Sequence, residues 1–302
     1  MSAPAVSVVM TAHNRERYIA GAIESVLAQT FDDLELIVCD DGSSDRTVEI
    51  AEAYAAQDPR VRVVRNPANL GDYPNRNHAA TFARGRYLKY HDSDDVMYPH
   101  CLSVMHGMLD AEPSAGFALS ASGAWPGGPC PMLLTPEQAY QREYLGSGLF
   151  HLGPAAALFR TDVFRTLGGF PEVGAASDYV FWVRACRQVS VLLVPGDLFH
   201  WRVHPDQESV RETDQADKAR VSLEGWLALS VPDCPLGPDD RLVARRNWTW
   251  IVVRGSWRHL RAGRFALAHA VWRHSGLSLL DVVRYLRRPR RSAGAGVPAG
   301  MA

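Results

Sequence analysis

Apolar runs and amphipathic stretches alternate along residues 6–90. Residues 6–10, 34–39, 61–64 and 87–90 are short apolar-rich runs bounded by polar loops, the pattern of buried strands. Between them, residues 18–28, 47–56 and 75–83 carry apolar side chains at helical spacing. Strands joined by helices of this length imply right-handed crossovers and a mainly parallel sheet. Ligands of such sheets bind at the carboxyl ends of the strands, and the polar loops beginning at Thr11, Asp40 and Asp92 all leave strands on that side.

The pattern then becomes less regular. Residues 116–210 carry Gly/Pro breaks at 126–129 and 168–171, with a helix expected at 178–187 and a strand at 189–194. After about residue 211 the chain turns helical, with segments at 241–261, 265–274 and 277–286 punctuated by Gly263 and Gly276. The final stretch, 292–302, is built of Ser, Ala, Gly, Val, Pro and Met and is expected to be disordered. With 302 residues and 47% hydrophobic content, the chain can form one large α/β domain with an appendage, or two domains. Its parts are residues 1–115 and 116–210 as two halves of a single domain, 211–291 as a helical extension, and 292–302 as a tail.

No uninterrupted apolar run reaches the roughly 18 residues of a membrane span, and the opening residues lack the basic start and apolar core of a secretory signal. The sequence therefore reads as cytoplasmic. Five widely spaced cysteines without a Cys-x-x-Cys pair argue against a disulfide framework or a structural zinc site. The net charge of −1 conceals an asymmetry. From Arg241 onward there are 13 Arg, no Lys and one acid, Asp281, a net +12 against −13 for residues 1–240. Such a segment meets an anionic surface, the acidic half of its own chain, or only water. The pattern Leu279, Leu280, Val283 and Leu286 beside Arg284, Arg287, Arg288, Arg290 and Arg291 allows peripheral contact with the inner face of a membrane. No nucleic-acid reading module accompanies the arginines.

The chemistry concentrates at Asp92, Asp94 and Asp95, which follow the run 87–90. Carboxylates this close raise one another's pKa, so such a cluster either holds a divalent cation or opens to water as an acidic turn. Spacing alone leaves both open.

The ordered set of motifs resembles the family 2 glycosyltransferases. It comprises residues 6–14, 25–31, the Asp40-Asp41-Gly42-Ser43 loop with its strand, Asn69-Leu70-Gly71, Arg76-Asn77, Ala83-Arg84-Gly85 and Asp92-Ser93-Asp94-Asp95. The match runs over about residues 5–210. The resemblance implies a GT-A-like α/β fold, a mainly parallel, mixed sheet flanked by helices with a helical C-terminal extension, in which residues 1–115 bind the nucleotide sugar and 116–210 the acceptor. It places Thr11, His13 and Asp41 around the base and ribose and Arg76 near the nucleotide. It makes Asp94 the main metal ligand and Asp92 a ribose or metal contact, with Mn²⁺ or Mg²⁺ bridging the donor's phosphates. Ser177-Asp178 precedes an aromatic-x-Trp-x-x-Arg helix, where family members often have Glu-Asp, so Asp178 is the expected catalytic base, in a position that also suits a helix cap. The stretch 200–209 resembles the segment that closes over the diphosphate, with Arg202 donating to phosphate and His204 completing the metal shell.

The implied activity is inverting, metal-dependent transfer from a nucleotide-diphosphate sugar, with UDP or dTDP favoured, to a hydroxyl acceptor. The rival is a non-catalytic nucleotide-sugar or glycan binding protein, which would keep Asp41 and could dispense with Asp178. A dinucleotide-dependent oxidoreductase is disfavoured, because residues 1–20 contain no glycine for a pyrophosphate loop. A nucleotidyltransferase would carry a Gly-rich basic signature there, and residues 11–17 lack it.

Overall fold

A computed structural model of the protein describes residues 3–121, 130–205, 207 and 215–286. In chain order, the first elements are β1 (Val6–Ala12), α1 (Ile19–Leu27), β2 (Leu34–Asp40), α2 (Thr47–Ala55), β3 (Val61–Arg65), α3 (Asp72–Thr81) and β4 (Tyr87–Asp92). They are followed by β5 (Val96–Met97), α4 (Cys101–Asp110), β6 (Ala115–Ala121), β7 (Met132–Leu134), α5 (Pro136–Leu145), β8 (Ala157–Arg160) and α6 (Thr161–Thr166). The remainder are α7 (Ser177–Gln188), β9 (Ser190–Pro195), β10 (Phe199–His200), α8 (Gln215–Ala228), α9 (Pro238–Arg261), α10 (Phe265–His274) and α11 (Leu279–Leu286). The Gly/Pro break at 126–129 and the tail 292–302 lie outside the described residues.

The chain forms two compact units, the first comprising Met1–Leu133, Leu152–Glu172 and Ser190–His204. Its sheet has the order β3-β2-β1-β4-β8-β6-β9-β7. Pairings β3/β2, β2/β1, β1/β4 and β6/β9 are parallel, as the alternation predicts, and β8 runs antiparallel to both neighbours, which makes the sheet mixed. Every residue of β2 is buried, and α1 turns Ile19, Ala22, Ile23 and Val26 onto the sheet core. Two expected boundaries move. Helix α3 starts at Asp72, three residues before the prediction, because Gly71 at φ 92° breaks the preceding backbone and Asp72 in the first turn pairs with Arg76 one turn on. Strand β4 continues through His91 and Asp92, which pair in register with Met10 and Thr11 of β1.

The amino ends of the central strands are tied by one buried acid. Glu35 of β2 accepts from Ser7 Oγ at 2.7 Å, from the Arg84 backbone N–H at 2.9 Å and from the Arg84 guanidinium at 2.7 and 3.0 Å. Burial alone would raise its pKa, but these donors hold it below the ordinary carboxylate value. Gly85 completes the junction: a Cβ there would fall 2.6 Å from the Ser7 backbone nitrogen.

The second unit comprises Leu134–His151, Val173–Val189 and Pro205–Ala302 and is helical. Tyr140 Oη of α5 donates to the Val183 carbonyl of α7, and Trp248 Nε1 of α9 donates to Ser222 of α8. The Arg241 guanidinium caps carbonyls of Leu229 and Val231 just beyond α8. Among the described residues, no helix is long and apolar enough to cross a membrane.

Candidate functional site

The carboxyl ends of β1, β2 and β4 bring most of the predicted site residues together in the first unit. Thr11 lies near the end of β1, in register with Cys39 of β2 and Asp92 of β4. Beyond it, His13 Nδ1 is 2.9 Å from the Asp41 carbonyl oxygen, a partner that requires the proton on Nδ1. Asp40 Oδ2 accepts the backbone N–H of Gly42 and Ser43 at 3.1 and 3.0 Å, an Asx turn that Gly42 permits with φ 75°. Asp41 turns the other way and clamps the 66–71 loop. Its Oδ1 accepts from Asn66 Nδ2 and Leu70 N–H, both at 2.8 Å, and its Oδ2 from Gly71 N–H at 2.9 Å. A carboxylate has about four acceptor sites, so these three bonds leave room for one more donor. Asp45 accepts from the Thr47 N–H at 3.0 Å in the first turn of α2, a capping role.

Arg76 of α3 is buried and reaches across to β4. Its Nη2 donates to Asp92 Oδ1 at 2.7 Å, its Nε donates to Asp72 Oδ1 at 2.8 Å, and its buried Nη1 has no acceptor among the described residues. Burial would raise the Asp92 pKa, but the Arg76 charge overrides it and holds the carboxylate below its ordinary value.

The acidic turn after β4 is locked by a two-residue antiparallel ribbon, β5 with β10. Through that ribbon the 199–204 segment returns to the turn, so that the Arg202 N–H donates to Asp95 Oδ1 at 2.9 Å and His204 Nε2 lies 3.1 Å from Asp94 Oδ2. Tyr18 packs between them: the Arg202 guanidinium is 5.2 Å from its ring centroid and the His204 ring 4.3 Å. The other oxygen of Asp95 is buried without a partner among the described residues. Burial and the neighbouring Asp92 and Asp94 charges push its pKa up to about 7, against the lowering effect of the Arg202 N–H.

Several contributors had no signal in the sequence reading. Arg15 Nε donates to Asp94 Oδ2 at 3.0 Å across 79 residues of sequence. Lys89 is fully buried in β4 and donates to the carbonyls of Tyr90 and Ala155. Burial holds its pKa below the ordinary lysine value, against the opposing pull of Cys101, Asp92 and Asp95. His91 is buried beside it and its pKa is pushed down to about 3, chiefly by burial and then by Lys89, which makes it a neutral packing group. The period-2 alternation of β4 gave the only hint of Lys89 and His91 on a common face.

Asp178 belongs to the second unit. Helix α7 begins one residue earlier than predicted, at Ser177, and a 3₁₀ turn at Gly174–Ala176 precedes it. Asp178 therefore sits inside the first turn, partly exposed, rather than at the cap position. Ser177 is buried and anchors the turn, accepting from the Val173 N–H at 3.1 Å and donating to the Gly174 carbonyl at 2.6 Å.

The chemistry of the donors fits a small hard cation. Among the described residues no three His, Cys, Asp or Glu side chains converge on one point. Mg²⁺-like ions are commonly held by only one or two carboxylates, with substrate phosphates and water completing the shell. The 3.1 Å between Asp94 Oδ2 and His204 Nε2 is close to the edge of an octahedron with ligands at about 2.1 Å.

A mixed, mainly parallel sheet with helices on its flanks and a nucleotide-type loop set at its carboxyl edge defines a GT-A-like fold. Residues 7–168, more than half the chain, match the model for "Glycosyl transferase family 2", and the protein belongs to that family. The chondroitin synthase of Escherichia coli is 26% identical over 268 residues, which cover 82% of this chain and 36% of that protein. The chain spans 10–40% of the length of the other curated relatives it matches here. Among solved structures, S. aureus TarS 1–349 in complex with UDP-GlcNAc superposes with a TM-score of 0.62 at 18% identity, covering 88% of this chain and 90% of that one. The mannosyltransferase PcManGT from Pyrobaculum calidifontis, in complex with GDP-Man and Mn²⁺, gives 0.63 at 17% identity, covering 94% and 79%. At these identities the two structures establish the fold.

Proposed function

We propose that this glycosyltransferase is metal-dependent and inverting, and that it transfers a sugar from a UDP- or dTDP-sugar to a hydroxyl acceptor in glycan, polysaccharide or glycosylated-metabolite synthesis. The observation that carries the reading is the carboxyl edge of the sheet, where a buried donor, Arg76 Nη1, and a buried acceptor, Asp95 Oδ2, lack partners among the described residues around Asp92 and Asp94. Buried polar atoms normally find partners within the protein, so a donor and an acceptor left without one in the same turn region support a ligand there.

In this reading residues 1–115 hold the donor and 116–210 the acceptor. Thr11, His13 and Asp41 surround the base and ribose, the remaining acceptor site of Asp41 taking an N–H of the base. Arg76 and Arg202 donate to phosphate oxygens. Asp94 and His204 would hold Mn²⁺ or Mg²⁺, with Asp92 contacting ribose or metal, and the bound ion would offset the charge on the departing diphosphate. The acceptor oxygen attacks the anomeric carbon as the carbon–oxygen bond to phosphate breaks, its electron pair leaving with the diphosphate. Asp178 takes the acceptor proton. The TarS and PcManGT complexes with UDP-GlcNAc and GDP-Man support a nucleotide-sugar donor by shared fold.

Calorimetric titration with UDP, dTDP and GDP, each with Mn²⁺ and with chelator, tests the reading. It expects one diphosphate to bind in a Mn²⁺-dependent manner, and binding indifferent to Mn²⁺ would contradict it. A binding protein without catalysis would pass that test but show no transfer or donor hydrolysis with any acceptor. Peripheral membrane contact through the C-terminal helices is supported by Leu279 and Leu280, each 75% exposed beside Arg284; Arg287, Arg288, Arg290 and Arg291 lie outside the described residues. Co-sedimentation with anionic vesicles should drop on truncation after Ser275, and equal sedimentation of the two forms would end that reading.

A further inference from the structure

Arg15 joins the loop after β1 to the acidic turn. Its Nη1 donates to the carbonyls of His13 and Asn14 at 3.0 and 3.2 Å, its own N–H donates to Thr47 Oγ1 at 2.7 Å, and its Nε reaches Asp94 Oδ2 at 3.0 Å. The side chain is 16% exposed, so this is a largely desolvated ion pair. The oxygen it takes is the one that lies 3.1 Å from His204 Nε2. A carboxylate oxygen presents two lone pairs, and here one faces a guanidinium while the other faces an imidazole.

We propose that Arg15 is a positioning residue that competes with the divalent cation for Asp94 Oδ2, and so makes metal binding depend on the nucleotide diphosphate. The proposal rests on the metal-dependent reading given above. A guanidinium and a divalent cation on one oxygen repel each other, so the ion must displace Arg15 from Asp94. Alone, the ion has to break the pair without replacing it. A diphosphate changes the balance, because its oxygens offer the displaced guanidinium a bidentate anionic partner. Arg15 is placed for that exchange, since it stands on the loop that follows β1, two residues beyond His13, and its Nε already rests on Asp94. The sequence neighbours are suited to the handover: Asn14 accepts from Ser44 N–H at 2.9 Å, which keeps the loop fixed to the Asp40 turn while the Arg15 side chain moves. Coupling of this kind is reciprocal, so the ion raises nucleotide affinity by the same factor that the nucleotide raises ion affinity.

The test measures Mn²⁺ binding to the full chain by electron paramagnetic resonance of the free ion. Wild type, Arg15→Ala and Arg15→Gln are compared without nucleotide and with whichever of UDP, dTDP and GDP binds. The expected result is that Arg15→Ala binds Mn²⁺ alone about 10-fold more tightly than wild type, within the 5–150-fold range of such couplings, and that the enhancement by nucleotide shrinks by the same factor. Arg15→Gln, which keeps the hydrogen-bonding reach without the charge, should follow Arg15→Ala and covers the case in which the alanine variant fails to fold. If Arg15 only braced the loop, neither variant would gain affinity for Mn²⁺ alone. Unchanged or weaker Mn²⁺ binding by folded variants, beside a Mn²⁺-dependent wild type, would overturn this proposal and leave the metal reading standing. Nucleotide binding by wild type that ignores Mn²⁺ would overturn the metal reading itself.

Discussion

Glu35 and Asp95 belong to the same sheet region and are both buried, yet their surroundings push them in opposite directions. Glu35 sits at the amino end of β2 with Ser7 and Arg84 filling its oxygens, and its pKa lies below the ordinary value. Asp95 sits in the turn beyond the carboxyl end of β4, and burial beside Asp92 and Asp94 pushes its pKa up to about 7. Burial raises both; the countercharge decides. The amino edge is a closed network in which Ser7 and Arg84 meet one acid, a structural device. The carboxyl edge leaves Asp40 Oδ1, Asp95 Oδ2 and Arg76 Nη1 buried without partners among the described residues, a costly arrangement that, in the proposed function, a ligand would complete.

Mutation can separate the two edges. The largest effect is expected for Asp94→Ala, which should lower turnover by about 10³-fold or more through loss of charge stabilisation at the diphosphate. A variant that lost stability but kept turnover would place Asp94 with Glu35. Asp178→Asn should lower turnover by about 10²–10⁴-fold, the usual worth of a general base, while nucleotide affinity stays within about twofold of wild type. Full activity of that variant would remove Asp178 from the reaction.

At the amino edge the signature reverses. Glu35→Gln should cost about 1.5–3 kcal/mol of stability, read from denaturant unfolding at pH 7, with turnover unchanged below the melting transition. Because the folded Glu35 pKa is depressed, its stabilising contribution is fully present above its unfolded value of 4.5 and fades as pH falls through the folded value. The gap between wild type and variant should therefore close under acid conditions, and a constant gap would assign the effect to packing. The smallest change is expected for Asp95→Asn. With chelator present it should leave the melting temperature within about 2 °C or raise it, since the substitution removes a charge that its neighbours disfavour.

Legibility followed sequence separation. The strands β1, β2, β3 and β4 and the polar loops at their ends could be read because each is a local pattern of a few residues, and Asp92, Asp94 and Asp95 announce themselves as neighbours. Short β8, antiparallel between β4 and β6, left no periodic trace in a region broken by Gly and Pro. The cross-chain partners were also hidden. Ser7 meets Glu35 across 28 residues, Arg15 meets Asp94 across 79 and His204 meets Asp94 across 110, and no local pattern encodes such pairs. His204 was named through the family resemblance; Arg15 and Tyr18 had no comparable cue. The two-residue β5/β10 ribbon that delivers Arg202 and His204 to the acidic turn is too short to carry a strand signature.

The most direct measurement is calorimetric titration of nucleotide diphosphate, with Mn²⁺ and with chelator, into wild type, Asp94→Ala and Glu35→Gln side by side. Mn²⁺-dependent binding retained in wild type and Glu35→Gln and lost in Asp94→Ala is the predicted result. Equal Mn²⁺-dependent binding by all three proteins, or loss in Glu35→Gln alone, would contradict the division between a structural amino edge and a ligand-binding carboxyl edge.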